Sequence, residues 1–179
     1  NVVALARNIG YVPRSRKASR ATISFFVDAS DITPPPVSIT LKKGPVAASA
    51  AAFGNSSFVF SILDDVTVPV LDGVATFDDL PIYEGTLLST EFTYSARNPN
   101  QRFILNNIGI DTDLLSVTVK ANEQSTQSVK YSLQDSLFSV KSDSKVYYIQ
   151  EIEDERYELF FGDDVFGQAL EEGNFITAN

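Results

Sequence analysis

The chain has 179 residues and a formal net charge of −9. It contains no cysteine and no histidine, which excludes disulfide bonds, Cys/His metal sites, and Ser-His or Cys-His catalytic pairs within this chain. The acidic balance argues against nucleic acid as a partner, because affinity for duplex DNA comes from basic residues that neutralise phosphates. No apolar run approaches the about 20 residues of a membrane span, and we predict no membrane association.

The first twenty residues form a basic segment. Residues 1–9 carry apolar side chains at helical spacing, which predicts a short N-terminal helix that ends at Gly10. Residues 11–21 follow as an extended basic arm, since Pro13 disfavours helical geometry at Val12. Because methionine is also absent, we interpret the sequence as a segment of a longer protein whose upstream part begins the helix.

From Thr22 onward the chain reads as strands separated by turns. Asp72-Gly73 between two apolar runs is the commonest two-residue hairpin signal and predicts a hairpin of Val66–Leu71 and Val74–Phe77. Pro69 lacks a backbone donor, which predicts that its strand lies on a sheet edge. Further strands are predicted at Thr22–Val27, Val37–Leu41, Phe58–Ile62, Glu91–Ala96, Arg102–Leu105 and Leu115–Lys120.

The last third of the chain continues this pattern after the polar stretch Asn122–Ser128, which is either a hinge or a long loop. Strands are predicted at Ser128–Leu133, Lys145–Ile152, Arg156–Phe161 and Asn174–Thr177. Around the acidic turn Glu153–Glu155, alternation predicts one face with Val146, Tyr148 and Ile152 and, opposite it, Tyr157, Leu159 and Phe161.

The predicted fold class is therefore mainly β, with antiparallel hairpins in a sandwich-like or mixed β body and a short N-terminal helix. We predict three parts. Residues 1–20 are the end of a helix plus the basic arm, residues 21–121 a first β subdomain, and residues 122–179 a second. The sequence leaves open whether the second is continuous with the first, and it does not fix the path of the loop from Gly44 to Phe53.

Acidic residues offer the few candidates for chemistry. Asp163 and Asp164 could supply oxygens to Ca²⁺, but the D-x-[DN]-x-[DN]-G spacing is absent, and we interpret them as an acidic turn in which Gly162 permits a positive φ. A carboxylate pair for glycoside hydrolysis drawn from Asp111, Asp113 and the acids of Glu151–Glu158 would need a raised-pKa acid in a cleft, so we interpret these as solvated turns. We predict no catalytic, cofactor-binding or metal-binding residue, and no enzyme.

Aromatic side chains cluster near the end of the chain and admit two interpretations. Exposed together, they would form a sugar-stacking platform; because they alternate between faces, we expect at least half to be core. The residues concerned are Tyr147, Tyr148, Tyr157, Phe160 and Phe161.

Four stretches, taken in order, resemble the baseplate wedge proteins of contractile-tailed phages, within the baseplate J-like group. They are NIGYVPRSRKASRATISF at Asn8–Phe25, PIYEGTLLSTEFTY at Pro81–Tyr94, QRFILNNIGIDTDLLSVTVK at Gln101–Lys120, and VYYIQEIEDERYELFFGDDVFGQALEEGNFI at Val146–Ile176. Together they span most of the chain, and the last is the most characteristic. Gly44-Pro45 departs from the Gly-Thr common in this family.

The resemblance implies a middle fragment of a structural protein in the baseplate ring that surrounds the tail hub and rearranges to trigger contraction. Implied partners are other wedge proteins and copies of itself, with no small-molecule substrate and no cofactor. The implied location is the virion tail baseplate, assembled in the host cytoplasm. The alternative is a carbohydrate-binding or adhesive β-domain of a tail or cell-surface protein.

Charge asymmetry singles out one candidate contact within that interpretation. The stretch Glu151–Glu172 holds nine acids against Arg156 alone, whereas the first twenty residues hold no acid. We predict that the arm docks on an acidic surface of a neighbouring subunit, such as one resembling the Glu151–Glu155 turn. The predicted contact residues are Arg14, Arg16, Lys17 and Arg20; the competing interpretation is a solvated arm.

Overall fold

The computed structural model describes residues 15–49, 57–136 and 139–179. The helix predicted over residues 1–9, the arm as far as Arg14 and part of the Gly44–Phe53 loop lie outside these ranges. Within them the protein is mainly β, as predicted, and no described helix is long or apolar enough to span a bilayer. The strands are β1 (Arg20–Asp28), β2 (Ser38–Leu41), β3 (Gly44–Ala48), β4 (Val59–Ile62), β5 (Val66–Leu71), β6 (Val74–Glu84), β7 (Thr90–Thr93), β8 (Phe103–Leu105), β9 (Val117–Lys120), β10 (Ser128–Leu133), β11 (Val146–Glu151), β12 (Tyr157–Phe161) and β13 (Phe175–Ala178), with a 3₁₀ turn at Glu153–Glu155.

The strands form two compact units, each with its own sheet. The six-stranded unit is Ala18–Leu88, and the seven-stranded unit is Ser89–Asn179 with residues 15–17. These divisions differ from the predicted ones at residues 20/21 and 121/122. The second differs because β9 and β10 are hydrogen-bonded antiparallel neighbours, so the polar stretch after Lys120 is a loop within one sheet and not a hinge.

The long strand β6 organises the six-stranded unit. It pairs with β1 along most of its length, with β5 at its beginning and with β4 at its end, while β2 and β3 extend the sheet beyond β5 and β4. A bulge interrupts the β1–β6 ladder where Asp79 has a φ of 49°, and the Asp79 N–H donates to the Ser24 hydroxyl at 2.9 Å. The buried core of the six-stranded unit includes Ile62, Leu80 and Ile82.

The predicted Asp72-Gly73 hairpin is confirmed. Asp72 and Gly73 have φ values of 52° and 81°, as the two central residues of a type I′ turn require. The prediction from Pro69 is wrong as stated, because β5 lies between β2 and β6. The missing backbone donor of Pro69 is nevertheless accommodated. β6 pairs only with Val70 and Leu71 of β5, so Pro69 has a strand partner on the β2 side alone.

The seven-stranded unit has the order β7-β13-β9-β10-β11-β12-β8 and is mixed, since β10 and β11 run parallel. Its core includes Tyr147, Leu159 and Ile176, each at most 1% exposed. The predicted pairing across the 153–155 turn is wrong by one residue. Tyr147 and Ile149, not Val146 and Tyr148, stand opposite the core side chains of β12, so the neighbouring face of β11 is the one that packs inward.

Candidate partner-contact site

The described end of the basic arm lies on the loop that precedes β9. The Ser15 hydroxyl accepts hydrogen bonds from the Thr112 backbone N–H at 3.3 Å and from the Thr112 hydroxyl at 2.9 Å. The side chain of Arg16 passes close to Gly109, where a Cβ atom would stand 3.3 Å from the Arg16 Cδ. These contacts give residues 15–17 a defined path.

Two of the predicted contact residues make ion pairs with this chain's own acids. Arg16 Nη2 lies 3.0 Å from Glu155 Oε2, and Lys17 pairs with Asp113 and lies 3.7 Å from Asp111 Oδ1. The Arg16 and Glu155 side chains are 69% and 56% exposed. Because exposed ion pairs contribute only about 0–1 kcal/mol each and are screened by salt, such contacts are weak enough to exchange.

The other two predicted residues are placed differently. Arg20 begins β1 and stacks over the ring of Tyr83, with its guanidinium carbon 5.4 Å from the ring centroid. Arg14 lies outside the described residues. The structure thus brings Arg16 to the 153–155 turn, the kind of acidic surface that the charge pattern singled out, but within one chain. Docking on a neighbouring subunit stays a prediction.

Sequence reasoning missed one ion pair that has a buried carboxylate. Glu158 on β12 has a side chain only 8% exposed, and Arg102, just before β8, donates from Nε to Glu158 Oε1 at 2.8 Å and from Nη2 to the second carboxylate oxygen. These hydrogen bonds raise the pKa of Arg102. Burying a carboxylate is costly unless it is paired and hydrogen-bonded. Only the register of β8 on β12, which sets Ile104 opposite Glu158, reveals it.

The acids at Asp163 and Asp164 hold a loop together. Asp163 Oδ1 accepts from the N–H groups of Val165 at 3.1 Å and Phe166 at 2.9 Å, and these bonds lower the pKa of Asp163. Asp164 Oδ1 accepts from the Ala169 N–H at 2.9 Å. Among the described residues no group of three or more acids is arranged to hold a metal.

The role predicted for Gly162 is wrong. The positive φ values in this loop belong to Asp164, at 66°, and Gly167, at 99°. Gly162 is required for another reason: its backbone forms a bridge with Ala169 and lies so close to Gly167 that a Cβ atom would overlap the Gly167 carbonyl group. The glycine provides space for a close backbone approach.

We expect chelation to leave the melting temperature of the protein unchanged, because both aspartates are already used by backbone donors of their own loop. The measurement is thermal unfolding by circular dichroism with and without EDTA. A fall of several degrees that added Ca²⁺ reverses would contradict our interpretation of Asp163 and Asp164.

The C-terminal aromatic residues are mostly core, as expected. Tyr147 and Tyr157 are buried, and Phe161 packs against the same cluster. Tyr148 is half-buried and donates its hydroxyl to the Phe166 carbonyl at 3.2 Å, which leaves Phe160 as the exposed member at 40%. These five side chains do not line up as one exposed platform.

An open polar depression of about 490 Å³ lies elsewhere on the seven-stranded unit. It is lined by Ser142, Asp143, Lys145, Asp164 and Gln168. The carboxylates considered for glycoside hydrolysis are not in it. Asp111 and Asp113 face Lys17, Glu155 faces Arg16 and Glu158 faces Arg102.

No family model matches the chain, and no curated protein matches it significantly.

Burial of Tyr147 predicts a loss of stability at high pH. Burial raises the pKa of its phenol from 10.0 to about 12, so the unfolded chain releases this proton near pH 10 while the folded chain retains it. Stability from the neutral phenol is complete below pH 10 and is lost as the pH rises towards 12. Urea midpoints should fall over this interval, and the fall should be smaller in Tyr147→Phe. An unchanged pH profile in that variant would contradict this assignment.

Proposed function

We propose that the chain is a structural component of a contractile phage tail baseplate wedge, part of the ring around the tail hub that rearranges when contraction is triggered. The observation that carries this proposal is the ordered resemblance of four stretches, above all Val146–Ile176. The mechanism is a switch between packed arrangements of subunits and involves no bond chemistry. Its partners are other wedge proteins and copies of itself.

Charged residues in those stretches are paired or hydrogen-bonded within the chain, which supports an assembly role. Arg102 and Glu158 neutralise each other, Asp163 closes a loop, and Gly162 permits a close backbone approach. These residues stabilise local structure within the chain. Exposed, weakly paired charges at Arg16 and Lys17 are suited to contacts that form and separate during a rearrangement, since little free energy holds each pair.

Locating the full-length product in purified virions by labelled electron microscopy tests the proposal. We expect the label in a ring at the distal end of the tail, around the hub. Label on fibres, on the host surface or nowhere on the particle would overturn the assignment.

Charge reversal tests the arm. Changing Arg14, Arg16, Lys17 and Arg20 together to Glu should reduce wedge assembly of the full-length protein at low salt by about tenfold or more, because several weak ion pairs act together. Assembly is followed by sedimentation across a salt series. Reversing Lys130 and Lys141 together to Glu is the control, since both are exposed, lie outside the arm and the 151–155 turn, and leave the charges of the arm intact. Complete assembly of the fourfold variant would support the solvated arm.

A carbohydrate-binding or adhesive β-domain is the second candidate, and the open polar depression beside Asp164 is what favours it. Polar side chains in a shallow depression can hydrogen-bond sugar hydroxyls. A glycan array probed with the protein distinguishes the two functions. Saturable binding that Lys145→Ala and Gln168→Ala abolish would favour the second, whereas an array without binding would favour assembly.

A further inference from the structure

One end of the six-stranded unit presents apolar side chains to solvent. Phe26 on β1 is 70% exposed and Leu71 at the end of β5 is 69% exposed. They lie on the same outward face of the sheet, because Phe26 stands opposite Thr76, Leu71 stands opposite Val74, and positions 74 and 76 share one face of β6. We call Phe26, Leu71 and Val74 the apolar end patch.

Acidic residues surround this patch. Asp28 lies on the same face directly opposite Val74, Asp72 forms the adjoining hairpin turn, and Asp31 lies in the loop that starts beside that turn. This loop is anchored where the Ala29 N–H donates to the Gly73 carbonyl at 2.7 Å. Hydrogen bonds from the Ser30 side chain and from the Ser30 N–H, the latter at 2.9 Å, lower the pKa of Asp28 and keep the carboxylate charged at neutral pH.

The basic residues of this unit lie far from the patch. Arg20 is six residues from Phe26 along β1, about 20 Å in an extended strand. Lys42 and Lys43 follow Leu41 at the opposite end of β5, where Asp65 accepts a hydrogen bond from the Lys42 Nζ at 2.7 Å and from the Lys43 N–H at 2.9 Å. An occupant that covers the apolar end patch must therefore supply positive charge as well as apolar surface.

The chain itself contains a segment in which arginines flank apolar residues. Residues 7–14, outside the described ranges, read RNIGYVPR, so that Ile9, Tyr11, Val12 and Pro13 lie between two arginines without an acid. We propose that the apolar end patch binds residues 7–14 of a second copy of this chain. Such a contact joins like subunits head to tail, as an interface that closes a ring requires. The proposal rests on the proposed function, in which copies repeat around the tail hub.

Under this proposal the basic residues of the N-terminal segment have two different sets of partners. Arg16 and Lys17 pair with acids of their own unit, and Arg7 and Arg14 extend to the acidic end of a neighbour. Because the patch is small and its ion pairs are exposed, we expect a single contact to be weak, and repetition around a ring to supply the avidity.

Titrating a synthetic peptide of residues 7–14 into the ¹⁵N-labelled chain tests the contact. At low salt we expect amide shifts confined to the β5–β6 hairpin and the end of β1, with a Kd on the order of 10⁻⁴–10⁻³ M. At 0.5 M salt the binding should weaken at least about threefold, since the ion pairs are exposed. No shifts, or shifts confined to the seven-stranded unit, would overturn the proposal.

Substitutions in the chain and in the peptide test which side chains contribute to binding. Phe26→Ser should weaken binding about fivefold or more because it removes the most exposed apolar anchor. Asp72→Asn keeps the turn, since Asn-Gly is also favoured there, and should weaken binding about twofold.

Ile108→Ser is the matched control. Ile108 is an exposed apolar residue of the seven-stranded unit, and this variant should bind the peptide as the parent does. A peptide with Arg7→Glu and Arg14→Glu should not bind. Equal binding by Phe26→Ser and the parent would overturn the proposal.

A deletion shows whether the bound segment comes from the same chain or from a second copy. If removal of residues 1–14 shifts the patch amides to the same extent at every protein concentration, each chain occupies its own patch and the second-copy proposal fails. The electron-microscopy label and the peptide titration are independent. A baseplate label without peptide binding overturns only this contact, and peptide binding without a baseplate label overturns only the proposed function.

Discussion

Replacing Gly162 with alanine should lower the free energy of unfolding by about 2–4 kcal/mol. The added Cβ would overlap the carbonyl group of Gly167. Backbone on both sides must then separate, since no flexible side chain is present to move aside. Gly167 cannot retreat freely, because its N–H donates to the Lys141 carbonyl at 3.1 Å and its carbonyl accepts from Asp164.

Gly173→Ala is the matched control for Gly162→Ala. Gly173 has a φ of 87° and open space around its would-be Cβ, so alanine there costs about 1–2 kcal/mol of backbone strain and creates no overlap. Urea unfolding of both variants compares the two costs. Equal losses, or a Gly162→Ala protein as stable as the parent, would show that the close approach to Gly167 is not a constraint.

Phe77→Ala should destabilise the six-stranded unit by about 3–5 kcal/mol. Phe77 is 2% exposed and stacks on Phe25, with ring centroids 4.9 Å apart and ring planes inclined by 17°. Truncation removes a large buried surface and leaves a cavity beside the Phe25 ring that neighbouring side chains fill only in part. Denaturant midpoints of the variant, followed by tyrosine fluorescence and by circular dichroism, measure the loss.

Phe26→Ala is the control for Phe77→Ala on the facing strand. It removes the same ring from the outward face, where it is 70% exposed, and should change stability by less than about 0.5 kcal/mol. If Phe26→Ala proved as damaging as Phe77→Ala, the two faces of β1 would be assigned incorrectly. A stable Phe26→Ala that fails to bind the peptide of residues 7–14 would separate folding from contact at this position.

Much of the secondary structure followed from local chemistry. Asp72-Gly73 encodes its turn because both residues tolerate positive φ, and β10 begins and ends where alternation and flanking polar residues predicted. β3 was not predicted, because Gly44-Pro45 indicates a turn; it is a strand since β4 pairs with it, with a register shift between Pro45 and Ala47.

Pairing between distant segments decided the rest. Alternation in β11 permits either face to be the buried one, and only its registers with β12 and β10 bury Tyr147 in place of Tyr148. The Arg102–Glu158 ion pair and the Arg16–Glu155 contact join residues whose charges were visible in the sequence but whose proximity depends on which strands and loops become neighbours. The sequence by itself determined three properties, because each depends only on residue identity and local backbone preference. These are the richness in β-strands, the positions of the charges along the chain and the exclusion of Cys/His chemistry.

Tertiary structure decided the division into two units, the need for Gly162 and the exposed acidic end near Phe26. These depend on long-range contacts that no local pattern specifies.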